Sequence, residues 1–162
     1  LARGGDPAQA VIEAAKALRL EKHSKNAEVL AQAHAAFTKA THELLNAASW
    51  NPQMLRDAAR SVDAVFAEDS SAEIRELKQE VDVETFAYQM SVLAVGEGAA
   101  DATFGLSQSG SGEATITVKE GDIVAGRFKV VAIKRDRVQV EDTQRKDRPL
   151  TYYENKNEVT SP

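Results

Sequence analysis

Apolar residues in the first half of the chain recur every three or four positions, which is the spacing of one face of an amphipathic helix. Four such stripes are present, over residues 11–18, 29–45, 55–66 and 74–81. A pattern that favours a helix start precedes each stripe: Asp6-Pro7, Asn26, Asn51-Pro52 and the capping box Ser70-Ser71-Ala72-Glu73. The sequence therefore predicts four helices with short connections, which favours an antiparallel bundle.

From about Val83 the apolar positions alternate with polar ones, which is the period of a β-strand. The first alternating run covers residues 86–92, although the same window also fits a helix that continues through Tyr88. Further strands are predicted at residues 102–106, 114–118, 127–134, 138–141 and 150–153. The flexible Ser107–Gly112 loop and the charged hairpin tip Lys134–Arg137 separate some of them. Short strands at this spacing predict a small antiparallel β-sandwich or barrel.

Composition supports a division of the chain at about residue 82. Residues 1–82 hold 19 of the 27 alanines, but only two of the nine glycines and nine Val, Ile or Thr residues. Residues 83–162 hold seven glycines and 20 Val, Ile or Thr residues. Ala favours helices, whereas β-branched residues favour strands. The predicted fold class is therefore α+β, with a helical bundle at 1–82 followed by a small β domain at 83–162.

Charge and chemistry exclude several classes of protein. The chain of 162 residues has no cysteine, which excludes a disulfide scaffold and a cysteine zinc site. A net charge of −5 argues against a surface devoted to nucleic acid. The longest uncharged stretches, 44–55 and 85–96, are too short for the roughly 20 residues of a membrane span. Because the chain begins at Leu1 without Met, we expect a processed fragment from which an anchor or export signal was removed.

No pattern predicts a catalytic, cofactor or metal site. None of His23, His34 and His42 has a second histidine one helical turn away, so a zinc site is not expected. The segment Gly96-Glu97-Gly98 starts like a dinucleotide-binding motif, but Asp101 occupies the third glycine position. A strand rather than a helix is predicted to follow, which leaves no helix N-terminus for a pyrophosphate. We therefore expect a protein that is not an enzyme.

Basic residues concentrate between Lys119 and Arg148, where nine Lys or Arg accompany six Asp or Glu. On one side of a small barrel they could bind a nucleic acid or another anionic partner, with Tyr152 and Tyr153 available for stacking. Acidic residues interrupt the set throughout, as in the solvated turns of many soluble barrels. The basic residues considered for this surface are Lys129, Lys134, Arg135, Arg137, Arg145, Lys146 and Arg148.

The stretch from Val118 to Val140 has a distinctive order of features. A strand enters the Gly121-Asp122 turn, a second strand ends at Ile133, and an alternating valine strand follows a charged tip. This pattern resembles the periplasmic homology-region domain of the type II secretion protein GspC and the type IV pilus lipoprotein PilP. The resemblance covers about residues 85–155 and implies a small β-sandwich. The helical first half and the polar insertion Thr143–Pro149 depart from the typical family member, which has a Pro- and Ser-rich linker before its β domain.

The resemblance implies an adaptor of a bacterial envelope machine, in which the β domain docks a secretin-like partner and the helices contact another component. It also implies a periplasmic location with an inner-membrane anchor in the full-length protein. The edge strands 89–95 and 150–153 could accept a partner strand. Because Tyr152 and Tyr153 alternate in direction, we expect one to face the core and the other a partner. The candidate partner-binding residues are Val92, Arg127, Lys129, Tyr152 and Tyr153.

Overall fold

The chain divides into two compact units, residues 1–85 and 86–162, so the predicted boundary after residue 82 lies slightly before the observed division. A computed structural model describes residues 6–20, 24–47, 50–107 and 113–155. Four helices precede two small antiparallel sheets, which confirms the predicted α+β fold class.

The first unit is built from helices α1 (Pro7–Leu20), α2 (Ser24–Leu45), α3 (Pro52–Glu68) and α4 (Ala72–Ala87). Helix α1 lies against α2 and α3, and α2 also lies against α3. The predicted stripes supply most of the core, whose buried side chains include Val11, Phe37, Leu45, Leu55, Val62, Val65, Ile74, Leu77 and Val81. Trp50, which precedes α3, is also buried. Within the described residues, no helix is both long and apolar enough to cross a membrane.

Two of the predicted helix caps are confirmed. The Asp6 carboxylate accepts a hydrogen bond from the Ala8 N–H at 3.0 Å. The Asn51 side chain accepts hydrogen bonds from the N–H groups of Gln53, at 2.9 Å, and Met54, at 3.3 Å. Each cap satisfies donors that the first turn of a helix leaves without an intrahelical partner.

The two other helix starts differ from the prediction in their details. The Asn26 cap is wrong, because α2 already begins at Ser24, and the Asn26 side chain donates to the Ala17 carbonyl at 3.4 Å. Helix α4 begins within the predicted capping box, but the Asp69 carboxylate accepts the Ser71 N–H there, at 3.0 Å. The Ser71 hydroxyl itself is buried and has no hydrogen-bond partner among the described residues.

The change from helix to strand comes later than the alternating pattern predicts. Helix α4 continues to Ala87 and the first strand begins only at Met90, so the predicted strand is wrong for residues 86–89. A turn follows, in which the N–H of Gln89 donates to the Phe86 carbonyl at 3.1 Å, and the first strand begins at Met90. The alternative interpretation, a helix continuing toward Tyr88, describes this segment better.

The β unit contains two antiparallel sheets. The first comprises β1 (Met90–Val95), β2 (Ala102–Ser107) and β3 (Glu113–Val118), in that order. The second comprises β4 (Ile123–Val124), β5 (Phe128–Ile133), β6 (Arg137–Asp142) and β7 (Thr151–Glu154), also in chain order. The five later strands predicted from the sequence are present, and only the two-residue β4 was missed. Of the predicted Ser107–Gly112 loop, residues 108–112 lie outside the described residues.

The core of the β unit lies between the inner faces of the two sheets, as in a sandwich. Phe104 of β2 meets Tyr153 of β7 edge to face, with ring centroids 6.0 Å apart. Phe128 of β5 meets the Tyr88 ring in the same way at 4.9 Å. Edge-to-face contacts between aromatic rings add to the stabilisation that burial provides. A core of this size needs only a few aromatic residues.

Residues 125–127 join β4 to β5, and Ala125 and Gly126 form the centre of the turn. Both residues have positive φ, 51° and 67°, and the N–H of Arg127 donates to the Val124 carbonyl at 3.1 Å. Two successive left-handed residues match the twist of the flanking strands in a tight hairpin. Gly126 adopts this conformation freely, whereas Ala125 carries a steric cost.

Candidate partner-binding site

One face of the four-stranded sheet points away from the β core and exposes side chains from all four strands. Cross-strand pairing places Lys129 between Ile123 and Glu141, and Gln139 opposite Tyr152. Tyr152 and Ile123 are each 54% exposed, which is high for large apolar side chains. We call this surface the outer face; its residues are Ile123, Lys129, Val131, Arg137, Gln139, Glu141, Tyr152 and Glu154.

Tyr152 is exposed and yet held in place by its neighbours on β6. The Gln139 side-chain amide donates a hydrogen bond to the Tyr152 hydroxyl at 3.0 Å. The Arg137 guanidinium lies 5.2 Å from the centre of the Tyr152 ring, within the range of a cation–π interaction. An aromatic side chain that is already ordered loses little conformational entropy when a partner covers it.

Tyr153 points in the opposite direction, which confirms the predicted division between the two tyrosines. Its ring packs on Phe104, and its hydroxyl donates to the Tyr88 carbonyl at 3.4 Å. Burial raises the pKa of the Tyr153 hydroxyl. Tyr153 therefore belongs to the core, and Tyr152 is the tyrosine on the outer face.

Two other candidate residues lie away from the outer face. Val92 is fully buried and pairs with Phe104 across β1 and β2. Arg127 is 7% exposed and forms an ion pair inside the β unit. Of the five candidates named from the sequence, the outer face brings together Lys129 and Tyr152.

The two edge strands considered for strand addition lie next to each other. Strand β1 is an edge of the first sheet and β7 an edge of the second. A parallel bridge between Val92 and Asn155 links the end of β7 to β1. An added strand would have to compete with this contact, so the sheet face offers a more open surface than these edges.

A buried polar cluster, which we call the Asp142 cluster, lies on the buried side of the sheet whose other side is the outer face. It consists of Tyr88, Arg127, Asp142 and Arg148, each at most 8% exposed. Arg127 donates to both carboxylate oxygens of Asp142, at 2.8 and 2.6 Å, in a bidentate pair. The Tyr88 hydroxyl donates to the same carboxylate at 2.6 Å and accepts a hydrogen bond from Arg148 at 3.1 Å.

The electrostatics of the cluster favour an ionised Asp142. Burial alone would raise the pKa of this carboxyl, but the hydrogen bonds from Arg127 and Tyr88 outweigh it and hold the pKa below its ordinary value of 3.8. Burial and the hydrogen bond to Asp142 raise the pKa of the Tyr88 hydroxyl, so it remains protonated and acts as a donor. The ionised carboxylate is thus held by charge-assisted hydrogen bonds from Arg127 and Tyr88 inside the β unit.

The same cluster fixes the polar insertion Thr143–Pro149. The Asp142 carboxylate accepts the backbone N–H groups of Gln144, at 2.9 Å, and Arg145, at 3.2 Å. The N–H of Thr143 donates to the Arg127 carbonyl at 3.0 Å. The polar insertion is thus a turn anchored to the end of β6, the strand that carries Gln139.

Sequence reasoning missed this cluster, although a signal for it was present. Val138, Val140 and Asp142 occupy alternate positions of β6, so the alternation that buries the two valines also buries the carboxylate. A buried carboxylate requires a cation or several donors. The partners were hidden because Arg127 and Arg148 precede or follow strands and look like surface residues of turns.

The basic surface considered from the sequence is not continuous. Arg148 is buried in the Asp142 cluster and contributes no surface charge. On the outer face, Lys129 and Arg137 alternate with Glu141 and Glu154. The surface around Tyr152 therefore carries charges of both signs.

The described histidines pair with carboxylates on the helices. His34 lies 2.5 Å from Asp69, and His42 lies 3.0 Å from Glu80. No group of three or more metal-ligating side chains occurs among the residues that the structure describes. His23 lies outside them.

Comparison with protein families, curated proteins and solved structures finds no match to this chain.

Proposed function

We propose that this chain is a non-enzymatic adaptor whose β unit binds a protein partner through the outer face. The observation that carries the proposal is Tyr152, a half-exposed tyrosine held by Gln139 and Arg137 on the outer face. Tyrosine and arginine are the residue types that most often dominate the binding energy of protein interfaces. The outer face also exposes the apolar side chains of Ile123 and Val131, and an ordered aromatic anchor on a partly apolar surface has the composition of an interface core.

The charges on the outer face favour a protein over a nucleic acid. Lys129 faces Glu141 in the register of β5 and β6, and Arg137 faces Glu154 in that of β6 and β7. A polyanion would meet a carboxylate beside each cation, whereas a protein surface can present the complementary sign at each position. The binding of nucleic acid or another anion remains the alternative, which the experiment below addresses.

The partner that we propose is a secretin-like component of a type II secretion or type IV pilus machine, and the location is the periplasm. The support for this step is the resemblance of Val118–Val140 to the family, together with the two-sheet layout of the β unit. An anchor in the inner membrane belongs to the same proposal.

A pull-down with secretin N-terminal domains tests the proposal. The unsubstituted chain should retain the domains, and Tyr152→Ala should weaken binding by about thirtyfold, as expected for a central anchor worth about 2 kcal/mol. Lys129→Ala should weaken binding less. The matched control is Lys119→Ala, which removes a lysine from an exposed turn before β4.

Three outcomes would contradict the proposal. If the unsubstituted chain retained no secretin domain, a secretin would be excluded as the partner. If Lys129→Ala and Lys119→Ala lowered the affinity equally and Tyr152→Ala did not lower it, the outer face would be excluded as the binding surface. Salt-dependent binding of a single-stranded oligonucleotide that Tyr152→Ala abolishes would instead favour the anionic alternative.

A further inference from the structure

A groove runs along the helical unit between α2 and α4. Its volume is 1050 Å³, at the upper end of pockets for small molecules, roughly 300–1,000 Å³. On α2 its lining extends from Ala31 to Glu43, which corresponds to about 18 Å of helix. An open groove of this length between two helices has the dimensions of a binding site for a third helix.

The two walls of the groove run in the same direction. His34 of α2 meets Asp69 just before α4, and His42, two turns further along α2, meets Glu80 of α4. These contacts join the helices at two points and hold the walls at a fixed separation. The groove is therefore preorganised, which lowers the entropic cost of filling it.

The floor of the groove is apolar and made of small residues. Ala31 and Ala35 of α2 lie there, opposite Leu77 of α4. Both alanines are exposed, whereas Leu77 is only 3% exposed. Small side chains allow the backbone of a docked helix to approach closely and bury larger apolar residues of its own.

The rim of the groove is acidic. Glu73, Glu76 and Glu80 line the α4 side, at the spacing of successive helical turns, and all three are exposed. On the α2 side, Lys39 lies 3.8 Å from Glu43, so its charge is offset locally. Among the carboxylates and amines that line the groove, four glutamates stand against one lysine, so the lining carries an excess of negative charge.

We propose that this groove binds a basic amphipathic helix of a partner protein. The occupant would place an apolar stripe against Ala31, Ala35 and Leu77 and direct Lys or Arg side chains to the glutamates of α4. The negative rim opposes an acidic occupant, which gives the site its selectivity. This surface is separate from the outer face of the β unit and would make the chain a two-partner adaptor.

The test uses a synthetic amphipathic helix of about 18 residues composed of Leu and Lys, long enough to span the groove. A peptide of the same pattern with Glu in place of Lys serves as the charge control. Isothermal titration of the whole chain should detect the Lys peptide and not the Glu peptide. Tyr152→Ala should leave the affinity for the Lys peptide unchanged, which separates this site from the outer face.

Matched variants separate the groove from general charge attraction. Glu73→Gln, Glu76→Gln and Glu80→Gln together should weaken binding by about tenfold, since three partly screened ion pairs are lost. A triple neutralisation on α3 provides the control with the same net charge: Asp57→Asn, Asp63→Asn and Glu68→Gln.

A second pair of variants tests the floor. Ala35→Gln places a longer side chain in the groove without adding charge, and it should weaken binding at least as strongly as the α4 triple variant. Ala36→Gln is the control, because Ala36 is equally exposed on α2 but does not line the groove. Trp50 is buried in the helical unit, and unchanged fluorescence from it would confirm that each variant is folded.

Three results would overturn the inference. The first is equal weakening by the α3 and α4 triple variants, which would show attraction to net charge alone. The second is equal behaviour of Ala35→Gln and Ala36→Gln. The third is concentration-dependent dimerisation of the chain that Ala35→Gln abolishes, which would identify a second copy as the occupant.

Discussion

Replacing Asp142 with Asn should destabilise the β unit strongly while leaving its shape intact. The substitution removes the negative charge that balances Arg127 and places an amide N–H group among donors from Arg127 and Tyr88. Breaking a buried ion pair by removing one partner typically costs about 3–5 kcal/mol. The free energy of unfolding of a small unit is of the same order, so the variant should be close to its unfolding threshold.

The aromatic residues allow each unit to be observed separately. The single tryptophan, Trp50, lies in the helical unit, whereas all three tyrosines lie in the β unit. Urea unfolding followed by near-UV circular dichroism of the tyrosines should show a lower midpoint for Asp142→Asn. The fluorescence of Trp50 should report the stability of the helical unit in the same samples.

Two further variants make the prediction specific to the buried pair. Glu141→Gln changes the neighbouring residue of β6, which lies on the outer face, and should alter the unfolding free energy by no more than about 0.5 kcal/mol. Arg127→Met combined with Asp142→Asn should cost less than the sum of the two single substitutions, since the second change removes the uncompensated charge left by the first. Strict additivity, or an Asp142→Asn effect no larger than that of Glu141→Gln, would refute the reasoning.

Three other predictions concern stability. Asn51→Ala should lower the unfolding free energy of the helical unit by about 1 kcal/mol, measured by Trp50 fluorescence, because two backbone donors of α3 lose their cap. Ala125→Asn should raise the unfolding free energy of the β unit by about 0.5–1 kcal/mol, because asparagine tolerates the left-handed conformation of the first turn residue; no gain in the urea midpoint would contradict this. The stability advantage of the unsubstituted chain over Asp142→Asn should be complete above pH 3.8 and decline as pH falls through the lower folded pKa of Asp142, which acid titration of both proteins would measure.

The order of helices and strands could be predicted because each element has a clear period in the sequence. The limits of the prediction lie where two periods overlap. Residues 86–92 satisfy both a strand and a helix pattern, and the chain uses the helix as far as Ala87. Strand β4 has two residues, too few for a period, and exists because the Ala125-Gly126 turn folds it back on β5.

The candidate sites were less predictable because they depend on contacts between distant residues. Alternation places Tyr152 and Tyr153 on opposite faces but does not say which faces outward; the packing of Tyr153 on Phe104 decides it. From the sequence alone, Arg127 is interpreted as a surface cation. In the fold, β6 brings Asp142 within hydrogen-bonding distance of it. The groove between α2 and α4 depends on the separation of two helices, which no local pattern in the sequence encodes.

If the outer face of the β unit binds a protein partner, an NMR titration of the labelled chain with secretin N-terminal domains should show where on the chain the partner binds. The account predicts that the largest chemical-shift changes occur at Lys129, Gln139 and Tyr152. Thr103 and Thr117, on the outward side of the other sheet and hydrogen-bonded to each other at 3.0 Å, should change little. Shift changes centred on those threonines, or no changes at saturating partner, would contradict the account.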